Sequence, residues 1–305
     1  MYQIVDIKTI VDFFSPLELS VVAAVLAAAA LSRAYAPLTV EHADRWTGAR
    51  GVDLTEENWP AIRRYLQRAR IFRTWGAIGG LVVPTLIGPM FGGAWQVAGV
   101  GTHAVNPAEL GLVFFGYLGG AVCAELTVSR PLGGPTRSAA LLSRELADYL
   151  PRELVWLQRG LAAAGVLGVA SLPFLLQDPG SFTPSVGSVL GFASVIGMVA
   201  VGLERLQLWI VRRPQPYVND SSLAADDAIR AQSVHSLAGA GIAFLLFMCS
   251  LAAFTIVFAD APMHQLVWAP GLIAFLLALA VCQYYGDRAW RVQRARRAAP
   301  PTTPA

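Results

Sequence analysis

Residues 186–209 read VGSVLGFASVIGMVAVGLERLQLW, and the first ionisable side chain in that run is Glu204. A helix needs roughly 20 mainly apolar residues to cross the hydrocarbon core of a bilayer. The glycine, alanine and branched apolar residues that fill 186–203 meet that need and offer nothing for a soluble surface. Six further segments have the same character: about 17–36, 74–95, 109–128, 160–177, 237–259 and 266–285. The first is alanine-rich with Glu18 at its edge, and the fourth is short and holds Pro173. The expected fold is an all-α, polytopic transmembrane helical bundle of about seven spans. Composition agrees: of 305 residues, 55% are hydrophobic and only 14% charged, against about 25% charged in an ordinary soluble domain.

The basic residues orient the bundle. Lys8 is the only lysine, so all other basic residues are arginine, a coding bias that points to a GC-rich bacterial genome. Arg33, Arg45, Arg50, Arg63, Arg64, Arg68, Arg70 and Arg73 lie around the segment between spans 1 and 2; Arg130, Arg137, Arg144, Arg152 and Arg159 lie between spans 3 and 4. Arg205, Arg212, Arg213 and Arg230 flank spans 5 and 6, and Arg288, Arg291, Arg294, Arg296 and Arg297 follow span 7. With seven spans, every arginine falls on one side, and positive charge resists translocation. The sequence therefore predicts an outer N-terminus and a cytoplasmic C-terminus, in the plasma membrane of a bacterium. Trp95 and Trp268 fall at outer span ends and Trp75, Trp209 and Trp290 at inner ones, where amphipathic rings favour the headgroup zone.

Three regions follow. Residues 1–16 hold Ile4, Ile7, Val11 and Phe14 at helical spacing but no basic leader, so an amphipathic segment on the outer face is expected and a cleaved signal peptide is not. Residues 17–290 form the transmembrane domain. Residues 291–305 form a basic and then disordered cytoplasmic tail. Each long inner segment ends in a helical pattern running into the next span: NWPAIRRYLQRARIFRTWG (58–76), RELADYLPRELVWLQRG (144–160) and LAADDAIRAQSVHSLAG (223–239). Within these, Leu66-Gln67-Arg68, Leu157-Gln158-Arg159 and Ala231-Gln232-Ser233 occupy like positions. Glu125, Glu204 and Gln283 recur at a constant interval (204 − 125 = 283 − 204 = 79). One lone helix plus three two-helix units would produce this pattern; helical hairpins would also produce it by coincidence.

Gly76 and Gly80, Gly116 and Gly120, and Gly187 and Gly191 each enclose three residues. Such pairs let helix backbones approach closely in lipid. They serve packing either within the bundle or between copies in a homo-oligomer, and the motif does not choose.

Candidate chemistry is sparse. Glu125, Glu204 and Gln283 sit near inner span ends, where a carboxylate serves either as a cation or gating site or as an interfacial partner of an arginine such as Arg205 or Arg130. Their depth, at the boundary and not the midplane, favours the second reading. His103, Asp260 and His264 could meet on the outer face but have no metal-ligand spacing, so neither a metal nor a cofactor is expected. Cys123, Cys249 and Cys282 lie in apolar runs and read as small buried hydrophobes, without disulfides. Asn219-Asp220 with Asp226-Asp227 is similar only in part to the acidic loops of membrane prenyltransferases: the spacing is wrong and a second acidic motif is missing, so Asp226 and Asp227 read instead as favourable negative charge near a helix start. The last span lacks the lysine that a retinal protein needs, and nucleotide-binding, zinc-hydrolase and serine-hydrolase motifs are absent from the sequence.

The expectation is thus a membrane protein without its own catalytic chemistry, a permease-like or accessory subunit of a membrane transport complex. Its partners would be the lipid bilayer and a cytoplasmic or membrane protein docked on the inner segments, not nucleic acid. A self-contained small-molecule or ion transporter is the second reading, motivated by the repeat and by the proline- and glycine-broken stretch GGLVVPTLIGPMFGG (79–93). A membrane enzyme is the third.

Overall fold

The computed structural model describes residues 16–87, 107–128, 137–138, 144–175, 186–213, 215–216, 220–257 and 280. Among them are seven α-helices: α1 (Pro16–Tyr35), α2 (Val40–Ala49), α3 (Trp59–Ile87), α4 (Pro107–Val128), α5 (Arg152–Leu175), α6 (Val186–Arg212) and α7 (Asp220–Val257). A two-residue antiparallel ladder pairs Arg137 with Pro216 and Ser138 with Gln215. Apart from this short ladder and the connecting turns, the described residues are helical. The outer amphipathic segment, the seventh span apart from residue 280, and the tail expected from the sequence lie outside the described residues.

Two of the lead sequences run without a break into the apolar segments after them, whereas in the stretch 144–160 the helix starts only at Arg152, after a 3-10 turn at Leu146–Asp148 and Pro151. α3 starts at Trp59 and Pro60, where a proline costs no hydrogen bond, and α7 runs unbroken for 38 residues. Pro173 is accommodated inside α5. Three helices, Arg152–Leu175, Val189–Arg212 and Ser221–Ser250, are long and apolar enough to cross a membrane, which marks a membrane protein. They overlap the expected fourth, fifth and sixth spans, the last of them only from residue 237 to residue 250.

The chain divides into two compact units. The first holds residues 1–37 and 67–124. There the Arg70 Nη1 donates to the Arg33 carbonyl at 3.2 Å and the Trp75 indole donates to the Tyr35 hydroxyl at 2.9 Å, fixing the last turn of α1 to α3. α3 and α4 touch backbone to backbone. A Cβ placed on Gly76 would lie 2.1 Å from the Gly116 carbonyl oxygen, and one on Gly116 would lie 2.7 Å from the Gly80 nitrogen. The first two glycine pairs thus interlock with one another inside the chain. On α6 the third pair does not: Gly187 and Gly191 are exposed, and a Cβ on Gly191 meets nothing within 4 Å.

The second unit holds residues 38–66 and 125–305. It contains α2, which the sequence reading missed. Thr39 caps it by accepting from the His42 amide at 3.4 Å. At its end Gly51 takes φ 59°, its amide reaches the Gly48 carbonyl, and the Val52 amide reaches the Thr47 carbonyl. That double closure needs a residue without a Cβ penalty in the left-handed region. Next, Thr55 and Asn58 exchange side-chain-to-backbone bonds at 3.0 and 3.3 Å, a reciprocal cap before α3. Leu38, Ala43 and Ile62 then pack with Ala225 of α7 into a small core roofed by Trp46, Leu54, Trp59 and Leu66.

The larger core of this unit is a three-helix layer of α5, α6 and α7, built from Val169, Leu172, Val189, Ile196, Leu245 and Ala252. Contacts pair 158 with 207, 165 with 196, and 168 with 252, while Gly241 lies against Leu203 and Gln158. α5 and α7 are therefore parallel and α6 runs against both. Polarity in this layer is inverted relative to a soluble domain. Phe174, Leu167 and Met198 are 75%, 69% and 66% exposed, whereas Gln158 and Gln207 are 4% and 1% exposed and bond to each other at 3.2 Å. Apolar surface turned outward over hydrogen-bonded polar groups inside is the arrangement that lipid, not water, stabilises. The cysteines, expected to be buried, are less so: Cys249 is half-buried, its thiol reaching the Leu161 carbonyl at 3.3 Å, and Cys123 is exposed, while Cys282 lies outside the described residues.

Candidate functional site

The polar residues of the second unit gather around the first four turns of α7. Arg230 is the centre, with a fully buried side chain. Its Nη1 faces the carbonyls of Ile210, Val211 and Arg213 at 3.1, 2.7 and 2.9 Å, and its Nη2 donates to Asp226 at 2.9 Å. The last carbonyls of a helix have no partner within it. Here α6 ends and Pro214 follows, which has no N–H to offer, so a guanidinium from the neighbouring helix caps the end. Its positive charge also matches the negative pole of α6. The other oxygen of Asp226 accepts from Arg213 at 3.0 Å. Burial pushes the Arg213 guanidinium down, and the Asp226 carboxylate pulls the other way.

One residue on, Asp227 accepts from the Tyr149 hydroxyl at 2.6 Å. Tyr149 is fully buried. Its phenol is raised well above its ordinary value by burial first, and then by the charge and hydrogen bond of Asp227. A raised phenol favours the protonated form in the folded state. Its contribution to stability is therefore fully present below the ordinary phenol range and is lost as pH rises through the raised value. Asp226 and Asp227, expected as favourable charge near a helix start, sit a full turn and more inside α7 and are engaged by Arg213, Arg230 and Tyr149.

On the next turns of α7 the Gln232 carbonyl oxygen accepts from Arg50, whose guanidinium also donates to the Trp46 carbonyl at 2.9 Å and stacks 4.3 Å from the Trp46 ring. The Gln232 amide continues to the Ser236 hydroxyl at 3.1 Å.

Glu125, at the end of α4, is 1% exposed. It accepts from the Tyr65 hydroxyl at 3.3 Å and from the Ser233 hydroxyl, and the same Ser233 oxygen lies 2.9 Å from the Ile229 carbonyl. A serine has one proton to give. It therefore bonds either the Glu125 carboxylate or the Ile229 carbonyl at any one time.

Glu204 differs from Glu125. Its carboxylate is 30% exposed and pairs with Arg159 of α5, not with its neighbour Arg205. Adjacent helical residues point about 100° apart, so Arg205 faces outward while Arg159 reaches across. The two glutamates that the sequence treats as equivalent thus have separate roles, one interior and one at a helix–helix seam. Gln283, His103, Asp260 and His264 lie outside the described residues. Among the described residues, no cluster of three or more histidine, cysteine or carboxylate side chains could hold a metal ion. Arg230 and Tyr149 were missed by the sequence reading. The four-residue spacing of Asp226 and Arg230 was the available signal, but the partners on α6 are invisible without the fold.

No protein-family model, curated protein or solved structure matches the chain.

Proposed function

We propose that this protein is a seven-span plasma-membrane component with its N-terminus outside and its C-terminus in the cytoplasm, serving as a permease-like or accessory subunit of a bacterial transport complex. One observation carries this reading: the ionisable groups around α7 are consumed by one another in a structural cluster, while the helix faces around them are apolar and exposed. Asp226 is bound by Arg213 and Arg230, and Asp227 by Tyr149. A cluster arranged this way stiffens the inner end of the bundle, where the arginine-bearing segments present a surface for a partner protein. Purification from gently solubilised membranes tests it. A stoichiometric partner is the expected result; a solitary protein that moves a solute in liposomes would refute the subunit reading.

Topology has its own test. A reporter active only outside the cytoplasm should work when fused near Gly180 and fail near Pro135 or after Arg297, because all arginines then stay inside. Activity at Pro135 would break the seven-span arrangement.

A carrier is the second reading, and the burial of Glu125 is what favours it. Buried carboxylates in membrane proteins often serve ion or proton pathways. Glu204→Gln should insert and complement a deletion as well as the parent, since exposed ion pairs contribute little. Glu125→Gln should cost about 1–2 kcal/mol, the difference between charged and neutral hydrogen bonds, and still complement. A correctly inserted Glu125→Gln protein that fails to complement would place the carrier above the subunit.

A further inference from the structure

The outward faces of α5 and α6 change character at one level. On α5, Phe174 and Leu167 are succeeded toward the helix start by exposed Trp156 and Arg152. On α6, Val195, Met198 and Val201 give way to exposed Arg205, Trp209 and Arg212, spaced four and three apart and so on one face. The levels coincide because Arg159 pairs with Glu204 and Gln207 bonds Gln158, tying the two antiparallel helices together where the change occurs.

Charge on this belt is unbalanced. Arg159 is neutralised by Glu204 and lies over the Trp156 ring at 5.6 Å. Arg152, Arg205 and Arg212 form no salt bridge among the described residues. The acidic groups nearby are exposed Glu153 and, in the turn before α5, Glu145 and Asp148, whose carboxylate caps the Glu145 amide at 2.9 Å. Cations and exposed indoles at the foot of two apolar helix faces match a headgroup layer of negative charge: the rings suit the interfacial depth, and arginine presents a planar fork that fits phosphate oxygens in pairs.

We propose that the belt of Arg152, Trp156, Arg205, Trp209 and Arg212 is a docking surface for the headgroups of anionic phospholipids. It rests on the reading that α5 and α6 are spans with these ends inward.

The full-length protein in detergent, titrated with phosphatidylglycerol or phosphatidylcholine and followed by native mass spectrometry, tests it. The parent should retain phosphatidylglycerol in preference. Arg205→Gln with Arg212→Gln should lower that preference on the order of tenfold, as two interfacial arginines allow, and each single change should lower it less. Arg45→Gln, an exposed arginine of α2, should leave it unchanged. A parent without preference, or a double variant that keeps the parent's, would overturn the docking surface alone. Release of the parent from membranes by alkaline wash would instead overturn the membrane reading and this inference with it.

Discussion

Arg230→Met should cost the protein about 3–5 kcal/mol, the largest loss expected from a single polar residue here. Methionine matches the length of the arginine stem but leaves the carbonyls of Ile210, Val211 and Arg213 buried without the donor they share. It also removes one of the two guanidiniums on Asp226, whose remaining partner is Arg213. Arg230→Lys should rescue only part, because an ammonium is a point charge and cannot reach carbonyls and carboxylate from two separate nitrogens. Thermal unfolding in detergent, read from monodisperse protein, measures the effect. Arg45→Met is the control: its pair with Glu41 is long at 4.0 Å and both side chains are exposed, so the change should stay within about 0.5 kcal/mol. Equal stability of Arg230→Met and the parent would mean that the α6 end is not capped as described.

Gly76→Ala and Gly116→Ala should be nearly as damaging, at about 3 kcal/mol or more, the upper end of overpacking costs. The usual relief of an oversized side chain is a rotamer change in its neighbour. Here each new Cβ would meet main chain: the Gly116 oxygen at 2.1 Å for Gly76, and the Gly76 oxygen at 2.1 Å for Gly116. Only separation of α3 from α4 can relieve that. Gly191→Ala, with nothing within 4 Å, should leave stability unchanged. Melting temperatures of the three variants, compared at equal expression, decide the matter. A well-packed Gly76→Ala protein would show that the two helices are not in backbone contact.

The site was half legible. Glu125 and Glu204 stand out because carboxylates are rare at the ends of apolar runs, and both prove to be held by other side chains. Their different environments could not be read, since a constant interval of residues says nothing about which face of a helix meets a neighbour. Likewise Asp226 and Asp227 read as helix-start charge, because Arg213 and Tyr149 are distant in sequence and come near only when α6 and the turn before α5 fold back onto α7. α2 was legible in retrospect: Thr39 supplies its cap and Gly51 its stop, but ten residues with a modest apolar stripe compete poorly with the long runs on either side.

What the sequence by itself determined is the helical class, the three helices long and apolar enough to cross a membrane, and the continuity of the lead sequences in α3 and α7 with the apolar runs after them. These follow from composition and from the length of apolar runs, which local chain chemistry dictates in any surroundings. Tertiary structure alone decided which glycine pairs interlock, which glutamate is interior, and which arginine is buried. Each of these depends on the rotation of one helix against another. That rotation is set by close packing of side chains across α5, α6 and α7, and of bare backbone between α3 and α4, and neither contact is written in any single stretch of the chain.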